Sequence, residues 1–236
     1  MEKSPIDDRD LLSKNIYNLK LKVPKKLDLR KDMNKIRNQG DAPLCGAFSG
    51  ASIKEWQEKQ DLGFSGYFSP DYIYNKRANK NESGMYARDI MKILHNHGTL
   101  PDISFQNSDM DDIMAANFKI KGYAQVETIE ECKKALYMNG PCLISFPMYN
   151  KDSVRMWDPK EGDEKSGHAM VIVGYNETGF IIRNSFGEKW GDNGYCEYPY
   201  SEWGSHWEVW TCFDEKSSEL PRRIICIGKI GSCFGR

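Results

Sequence analysis

The sequence predicts an α+β protein in which a mainly helical half is followed by a half of antiparallel strands. Between residues 24 and 111 the chain is mostly helical in pattern, as in segment 45–61, which Gly63 follows as a stop signal. After about residue 111 the pattern changes to short strand-like runs separated by Gly and Asn. A cleft between two such halves is a natural place for a functional site.

Local signals predict the individual elements in chain order. Pro70 in a first helical turn indicates a helix over 71–77, and apolar side chains share one face of a helix over 87–96. Segment 118–126 alternates like a half-buried strand, and the capping box Thr128–Glu131 opens a helix that runs through Tyr137. Further strands are predicted at 142–147, 168–175, 180–184 and 206–213.

Four regions result from this pattern. The acidic run Asp109, Asp111 and Asp112 is interpreted as a loop between the two halves. The predicted regions are an N-terminal arm or short pro-segment (1–23), a helical half (24–111), a β-rich half (112–213) and a C-terminal tail (214–236).

Composition excludes several classes of protein. The 236 residues carry 33 Lys and Arg against 34 Asp and Glu, and a net charge of -1 argues against a nucleic-acid binder. No apolar run approaches the roughly 18 residues of a membrane-spanning helix. The first 26 residues are too charged for the apolar core of a secretory signal, and localisation stays open. The odd count of seven cysteines leaves at least one thiol outside any internal disulfide set.

Four residues have the chemistry of a thiol nucleophile site. Cys45 lies where a helix begins, and a helix N-terminus together with an imidazolium favours thiolate. His168 at the start of a predicted strand can form that ion pair and protonate a leaving amine. Asn184 can orient the imidazole, and Gln39 can donate its amide to an oxyanion beside the Cys45 backbone N–H.

Three motifs carry a resemblance to a known family. They are the nucleophile region from Gln39-Gly40 to Cys45-Gly46-Ala47, the histidine region at Gly167-His168-Ala169, and the asparagine region from Asn184-Ser185-Phe186-Gly187 to Trp190-Gly191. In this order they resemble the papain family of cysteine peptidases, which includes the cathepsins, over about residues 24–213.

The resemblance implies a papain-like two-domain fold, with a helical left half, an antiparallel β-barrel-like right half and the active-site cleft between them. It implies a cysteine endopeptidase that works through an acyl-enzyme, with Cys45 as nucleophile, His168 as acid and base, Asn184 as orienter and Gln39 as oxyanion donor. Expected partners are peptide or protein substrates and protein inhibitors. Neither a cofactor nor a metal is expected, and a monomer is expected. Family members commonly work in lysosomes, vacuoles or outside cells.

The same resemblance suggests residues that bind substrate. Gly84 and Met85 stand where the family binds the substrate backbone, and Gly167 and Ala169 lie near the pocket for the residue two before the cut. Phe186 replaces a Trp that shields the Asn–His bond from water.

Two further departures keep other functions open. Gly46 stands where the family has Trp, and Ala42 where it has a half-cystine. Gly46 and the reduced glycine stretch before Met85 motivate the alternative of a catalytically weak or inactive peptide-binding module. An exopeptidase of the same family is the other alternative. Family members are usually made with a long inhibitory propeptide, so either this chain is trimmed or residues 1–23 perform any inhibition themselves, with Ile16, Tyr17 and Leu19 against the enzyme surface or in the cleft.

Overall fold

The computed structural model describes residues 1–18, 20–102, 108–159 and 165–214. Within these ranges a group of helices packs on one face of a seven-stranded antiparallel sheet. This is the predicted α+β arrangement of a helical half followed by a β-rich half. The predicted C-terminal tail beyond Asp214 lies outside the described residues.

The helical half contains the three helices that the sequence predicts. Helix α1 spans Cys45–Leu62 and ends at Gly63, whose φ of 68° is the left-handed conformation that glycine adopts without steric cost. Helix α2 spans Pro70–Asn75 and begins after Ser69, whose hydroxyl accepts a hydrogen bond from the Tyr72 N–H at 3.2 Å. Helix α3 spans Ala87–Asn96.

The acidic run that was expected to be a loop is helical, so that interpretation is wrong. Helix α4 spans Ser108–Ala115. The Asp112 carboxylate accepts a hydrogen bond from the Tyr72 hydroxyl at 2.8 Å and pairs with the Lys76 ammonium at 2.6 Å. Asp residues have a low intrinsic helix propensity, so the local sequence favours a loop here. The contacts of Asp112 with Tyr72 and Lys76 stabilise the helix instead.

The sheet has the strand order β2-β7-β3-β4-β5-β6, and the short β1 pairs with β4. Every pairing is antiparallel. Strand β6 was not predicted, because its sequence is too polar and broken to show an apolar period. The strands are β1 Leu27–Asp28, β2 Ile120–Val126, β3 Cys142–Met148, β4 Ser166–Tyr175, β5 Gly179–Arg183, β6 Tyr195–Pro199 and β7 Glu208–Asp214.

Alternating residues of the central strands face two separate cores. Leu143 and Val171 belong to the core shared with α1, α2 and α3. Ile144 and Ile172 belong to the opposite core, which also holds Leu136 of helix α5 (Ile129–Asn139). Because both faces of β3 and β4 are covered, these strands are continuous apolar runs. Helix α1 packs on β4, which brings the two halves together where α1 and β4 begin.

The N-terminal arm runs over the β-rich half. Leu12 forms a bridge with Gln125 of β2, and Ser13 donates its hydroxyl to Glu131 at 2.7 Å. Tyr17 is buried in the core that contains α5, so this part of the arm lies against the body of the protein. Leu19, which was expected to make similar contacts, lies outside the described residues.

Across the described ranges, none of the helices is both long enough and apolar enough to cross a bilayer.

Candidate active site

The thiol of Cys45 lies at the N-terminal end of α1. The N-cap residue is Leu44, whose side chain accepts no hydrogen bond from the backbone N–H groups of the first turn. These N–H groups carry the positive end of the helix dipole, which favours an anion beside them. The start of α1 therefore favours negative charge on the Cys45 sulfur.

Two opposing effects set the pKa of Cys45. Burial raises the pKa because the charged thiolate loses hydration. The hydrogen bond and charge of His168, the charge of the Met1 ammonium and the Ala169 N–H together lower it by more, and the net result is a pKa reduced from 9.0 to about 7. A thiol with this pKa is substantially ionised at neutral pH.

His168 and Asn184 form a buried hydrogen bond. His168 is the third residue of β4, and Asn184 directly follows the neighbouring β5. The His168 Nε2–H donates to Asn184 Oδ1 at 2.7 Å, which leaves Nδ1 for the thiol of Cys45. Asn184 is held in turn by its own N–H, which donates to the Gly194 carbonyl at 2.9 Å. Neighbouring strands thus fix both the ring and its amide partner.

An aromatic side chain covers the imidazole. The ring centroids of Phe186 and His168 are 4.5 Å apart, with an interplanar angle of 33°. Trp190 packs edge-on against Phe186 at 6.3 Å. Phe186 therefore packs on the His168 ring, and its exclusion of water from the Asn–His hydrogen bond stays a prediction. Trp190 belongs to the asparagine motif, but the motif alone does not predict this supporting contact.

Gln39 is positioned by Ser185. The Gln39 backbone N–H donates to the Ser185 carbonyl at 2.8 Å, and the Ser185 hydroxyl donates to Gln39 Oε1 at 2.6 Å. Gln39 Nε2 donates to the Ala42 carbonyl at 2.8 Å. An amide nitrogen carries two hydrogens, so one hydrogen remains for a ligand in the cleft. Ser185 was missed as a site residue, although its place beside Asn184 in the motif was a usable signal.

A buried ion pair holds the segment before Gln39 on α1. Arg37 donates to Glu55 Oε1 at 2.7 Å, and the same carboxylate oxygen accepts the Phe68 N–H at 3.1 Å. The Arg37 carbonyl accepts the Gly187 N–H at 3.1 Å. The loop that carries Gln39 is therefore attached both to the nucleophile helix and to the segment that carries Phe186.

The structure gives a packing reason for Gly46. A Cβ atom there would lie 2.5 Å from Ile90 Cδ1 of α3 and 3.0 Å from Met1 Sδ. No larger side chain fits while Ile90 occupies this position. Gly46 thus leaves room for Ile90 of α3 to pack directly against α1.

The first residues of the arm lie among the predicted substrate-binding residues. The Met1 ammonium donates to the Gly167 carbonyl at 3.2 Å, and the Glu2 N–H donates to the Met85 carbonyl at 3.3 Å. A Cβ on Gly84 would lie 3.0 Å from the Met1 nitrogen. Ala169 is fully buried, and its backbone N–H contributes to lowering the pKa of Cys45.

An open cleft of about 660 Å³ borders the thiol and imidazole. Met1 closes one side of it, and Phe186 and Trp190 line another. The loop at 38–43 forms the edge that carries Gln39. The arm, through Met1, and the loop that carries Gln39 thus both line the cleft.

Comparison with known sequences gives the family. The family model for papain family cysteine proteases matches residues 23–207. Mouse cathepsin K is 28% identical over 197 residues, which cover 74% of this chain and 59% of the mouse protein. A cathepsin L-like peptidase of Aedes aegypti is 27% identical over 217 residues, which cover 81% of this chain and 63% of that protein. The chain therefore spans about three-fifths of the length of these relatives.

Solved structures show the same fold. Xylellain, a cysteine protease from Xylella fastidiosa, matches with a TM-score of 0.78 and 25% identity, covering 91% of this chain and 95% of that one. A cysteine protease of Carica candamarcensis in complex with E-64 matches with a TM-score of 0.63 and 18% identity, covering 82% and 100%. This chain belongs to the papain family of cysteine proteases.

Proposed function

We propose that the protein is a cysteine endopeptidase that hydrolyses peptide bonds through Cys45, His168 and Asn184. The observation that carries the proposal is the chain of contacts from the Cys45 thiol to the His168 ring and from His168 Nε2 to Asn184 Oδ1. A thiol with a lowered pKa, beside an oriented imidazole and at the edge of a cleft, is an activated nucleophile.

The proposed reaction has two halves. The Cys45 thiolate attacks the scissile carbonyl carbon, and the resulting oxyanion accepts hydrogen bonds from the Cys45 N–H and Gln39 Nε2. The C–N bond then breaks while His168 gives its proton to the leaving amine, which leaves a thioester on Cys45. Water loses a proton to His168 and attacks the thioester, and the acid product departs as the thiolate re-forms.

Substrate binding is proposed at four residues. Contacts of the arm support this proposal, because the Met1 ammonium and the Glu2 N–H donate to the Gly167 and Met85 carbonyls. We assign Gly84, Met85, Gly167 and Ala169 to the side of the cleft that holds substrate residues before the cut. Gly84 and Gly167 lack side chains where the arm backbone passes, and a Cβ on Gly167 would lie 2.1 Å from the Met1 carbonyl oxygen.

A non-catalytic binder is the weaker alternative. Gly46 motivated it, and the packing of Ile90 gives Gly46 a structural reason that leaves Cys45 in place. The exopeptidase alternative requires a segment that fills part of the cleft. The arm does lie in part of the cleft, but it continues over the β-rich half to the buried Tyr17. We therefore assign the arm to restricting access to the cleft.

Cys45→Ala tests the function. Purified Cys45→Ala is expected to lose hydrolysis of a fluorogenic peptide and labelling by an epoxide that reacts with thiols. Cys196→Ala is the matched control, because Cys196 is a half-buried thiol on β6 and takes no part in the proposed site. Retained hydrolysis in Cys45→Ala would refute the nucleophile assignment. Absence of labelling in the unaltered protein at neutral pH would favour the binder.

We further propose that residues 1–23 restrain access to the cleft. Arg88 on α3 supports this, since its guanidinium contacts the Asp10 carboxylate and the Pro5 carbonyl, and its backbone N–H donates to Ser4 Oγ. The Arg88 and Asp10 side chains are 8% and 10% exposed, so the pair is nearly buried. Loss of one partner from such a pair leaves an uncompensated charge and destabilises the docked arm.

Asp10→Ala in the full chain tests the restraint. Its release of the arm is expected to raise kcat/KM for a short peptide at least about tenfold. Asp7→Ala is the control, because Asp7 pairs with Arg9 inside the arm. Equal activity of Asp10→Ala and the unaltered chain would contradict the restraint while leaving the peptidase assignment intact.

A further inference from the structure

The five thiols of the described residues are divided between the two faces of the sheet. Cys45 and Cys212 belong to the core shared with α1, α2 and α3. Cys132 on α5 and Cys142, the first residue of β3, belong to the opposite core, and Cys196 on β6 packs against it. The sheet backbone separates side chains on its two faces, so a thiol of one core cannot bond to a thiol of the other. Among the described thiols, Cys142 therefore has two candidate partners, Cys132 and Cys196.

The strand register excludes Cys196. Cys142 is directly opposite Ile172 of β4, which is opposite Ile182 of β5. Ile182 is in turn opposite Cys196 of β6. Three strand spacings of about 4.8 Å place Cys196 about 14 Å from Cys142. A disulfide bond joins residues whose Cα atoms are at most about 7 Å apart, so these two cysteines cannot be joined.

Cys132 lies directly against Cys142. Helix α5 packs on β3, and the two thiols are hydrogen-bonded to each other. Both residues are fully buried. The Cys142 thiol also donates to the Gly140 carbonyl, but at 3.8 Å this contact is long and weak. The two sulfur atoms are thus in contact with each other and shielded from water.

The connection between the two cysteines brings them together locally. Helix α5 ends at Asn139, and Gly140 and Pro141 lead the chain directly back into β3. Closing a short loop of this kind costs little chain entropy. The end of the same helix holds the arm, because Asn139 Nδ2 donates to the Tyr17 hydroxyl at 2.5 Å. A covalent link here would fix the helix on which the arm is anchored.

We infer that Cys132 and Cys142 form a disulfide bond that fastens α5 to β3, with a small-molecule disulfide such as glutathione disulfide as the oxidant. The inference goes beyond the proposed peptidase function and does not depend on it. One cysteine thiolate attacks glutathione disulfide, which gives a mixed disulfide and releases one glutathione thiol. The other cysteine attacks the protein sulfur of the mixed disulfide and releases a second glutathione thiol. The protein loses two S–H bonds and gains one S–S bond, and the two electrons and two protons are taken up by the glutathione.

The bond forms before the core closes over it. In the folded chain, burial and the neighbouring thiol raise the pKa of Cys132 well above its ordinary value. A buried, protonated thiol does not react with an oxidant, so the exchange takes place while α5 and β3 are still exposed during folding. Once the core is closed, the same burial protects the bond from reducing thiols.

Peptide mapping of the full chain tests the bond. The Cys45→Ala chain is refolded in a mixture of reduced and oxidised glutathione, so that the reactive thiol takes no part in the exchange. It is then denatured, treated with N-ethylmaleimide and digested with trypsin, which cuts after Lys133 and places Cys132 and Cys142 on separate peptides. Mass spectrometry is expected to find these two peptides joined, with two hydrogens fewer than the separate thiol forms. Cys196 is expected to carry the maleimide.

Thermal stability provides a second readout. The oxidised Cys45→Ala chain is expected to melt about 5–10 °C above the same chain refolded in dithiothreitol, because the bond restricts the unfolded state. This difference is expected to vanish in the Cys45→Ala, Cys132→Ala double variant. The Cys45→Ala, Cys196→Ala double variant is the matched control and should keep both the joined peptides and the difference in melting temperature.

Two results would overturn the inference. One is N-ethylmaleimide on both Cys132 and Cys142 after oxidative refolding, or a bond from either of them to Cys226 or Cys233, which lie outside the described residues. The other is an equal melting temperature for the oxidised and reduced chains. Neither readout uses peptide hydrolysis, so failure of this inference leaves the peptidase assignment intact, and a chain without peptidase activity does not contradict the bond.

Discussion

The thiols at the start of α1 and in the interior of the sheet are similarly buried, but their pKa values are shifted in opposite directions. Cys45 is 4% exposed and Cys212 on β7 is 1% exposed. Burial acts in the same direction on both and raises the pKa. The pKa of Cys212 rises to about 12, whereas that of Cys45 falls to about 7.

The difference comes from the groups beside each thiol. His168 gives Cys45 a hydrogen bond and a charge, which together with the Met1 ammonium and the Ala169 N–H outweigh burial. Cys212 receives a hydrogen bond from the Gln57 amide at 3.4 Å, which is a neutral donor, and lies near the charge of Lys54. Cys132 on α5 faces Cys142, and burial with this second thiol raises its pKa well above the ordinary value. The direction of each pKa shift is therefore decided by the groups beside the sulfur, while burial is common to both classes.

Replacement of His168 should remove the difference in pKa between Cys45 and Cys212. It gives the largest expected effect on activity. In His168→Ala the Cys45 thiol keeps its burial and loses its hydrogen-bonding cation, so its pKa rises. We expect kcat/KM for a peptide to fall by at least about 10³-fold, because the Cys45 thiol is no longer ionised at neutral pH and the acid is lost. His95→Ala is the control, since His95 is exposed on α3. Peptide hydrolysis in His168→Ala within tenfold of the unaltered protein would contradict the site.

The two classes of thiol should also differ in alkylation. At pH 7 about half of Cys45 is thiolate, against about 10⁻⁵ of Cys212. The more basic thiolate is intrinsically more nucleophilic, which recovers about half of this difference on a logarithmic scale. We expect iodoacetamide to modify Cys45 about 100-fold faster, with a rate that rises through pH 7. Peptide mapping by mass spectrometry at several pH values measures both rates, and comparable labelling of Cys212 would break the comparison.

How much of this site the sequence predicts depends on the range of the interaction. The helix start at Cys45 and the strand that carries His168 follow from local periodicity and stop signals, and the motif order places Gln39 and Asn184. The contact between the halves requires the sheet register, which no local pattern encodes. The same holds for the arm: the Asp10 contact with Arg88 spans 78 residues of sequence.

Elements without an apolar period were also beyond prediction. Helix α4 depends on contacts of Asp112 with Tyr72 and Lys76, and these residues are distant in sequence. Strand β6 is defined by its pairing with β5. In both cases tertiary contacts override a weak local preference.

The Asn184→Ala variant tests how much the activity of the Cys45–His168 pair depends on the orientation of the imidazole. In Asn184→Ala the His168 Nε2–H loses its buried acceptor, while Cys45 keeps its ring partner. A lost buried hydrogen bond of this kind is worth about 1–3 kcal/mol, so we expect kcat/KM to fall about tenfold to a hundredfold. Phe186→Ala should have a smaller effect in the same direction by admitting water to the hydrogen bond. A larger loss in Phe186→Ala than in Asn184→Ala would reverse the assigned roles of shield and orienter.

The lowered pKa of Cys45 also predicts how stability changes with pH, and this is the smallest effect. The thiol titrates near pH 7 in the folded protein and near 9.0 without its environment. Between these values the unfolded chain binds more protons, so this group increases the free energy of unfolding as pH rises from 7 to 9. The increase amounts to about 2–3 kcal/mol, is complete above pH 9 and disappears as pH falls through 7. Urea unfolding of the unaltered chain and of Cys45→Ala at each pH gives the difference, and a difference that does not change between pH 7 and 9 would mean that burial, as at Cys212, governs Cys45 as well.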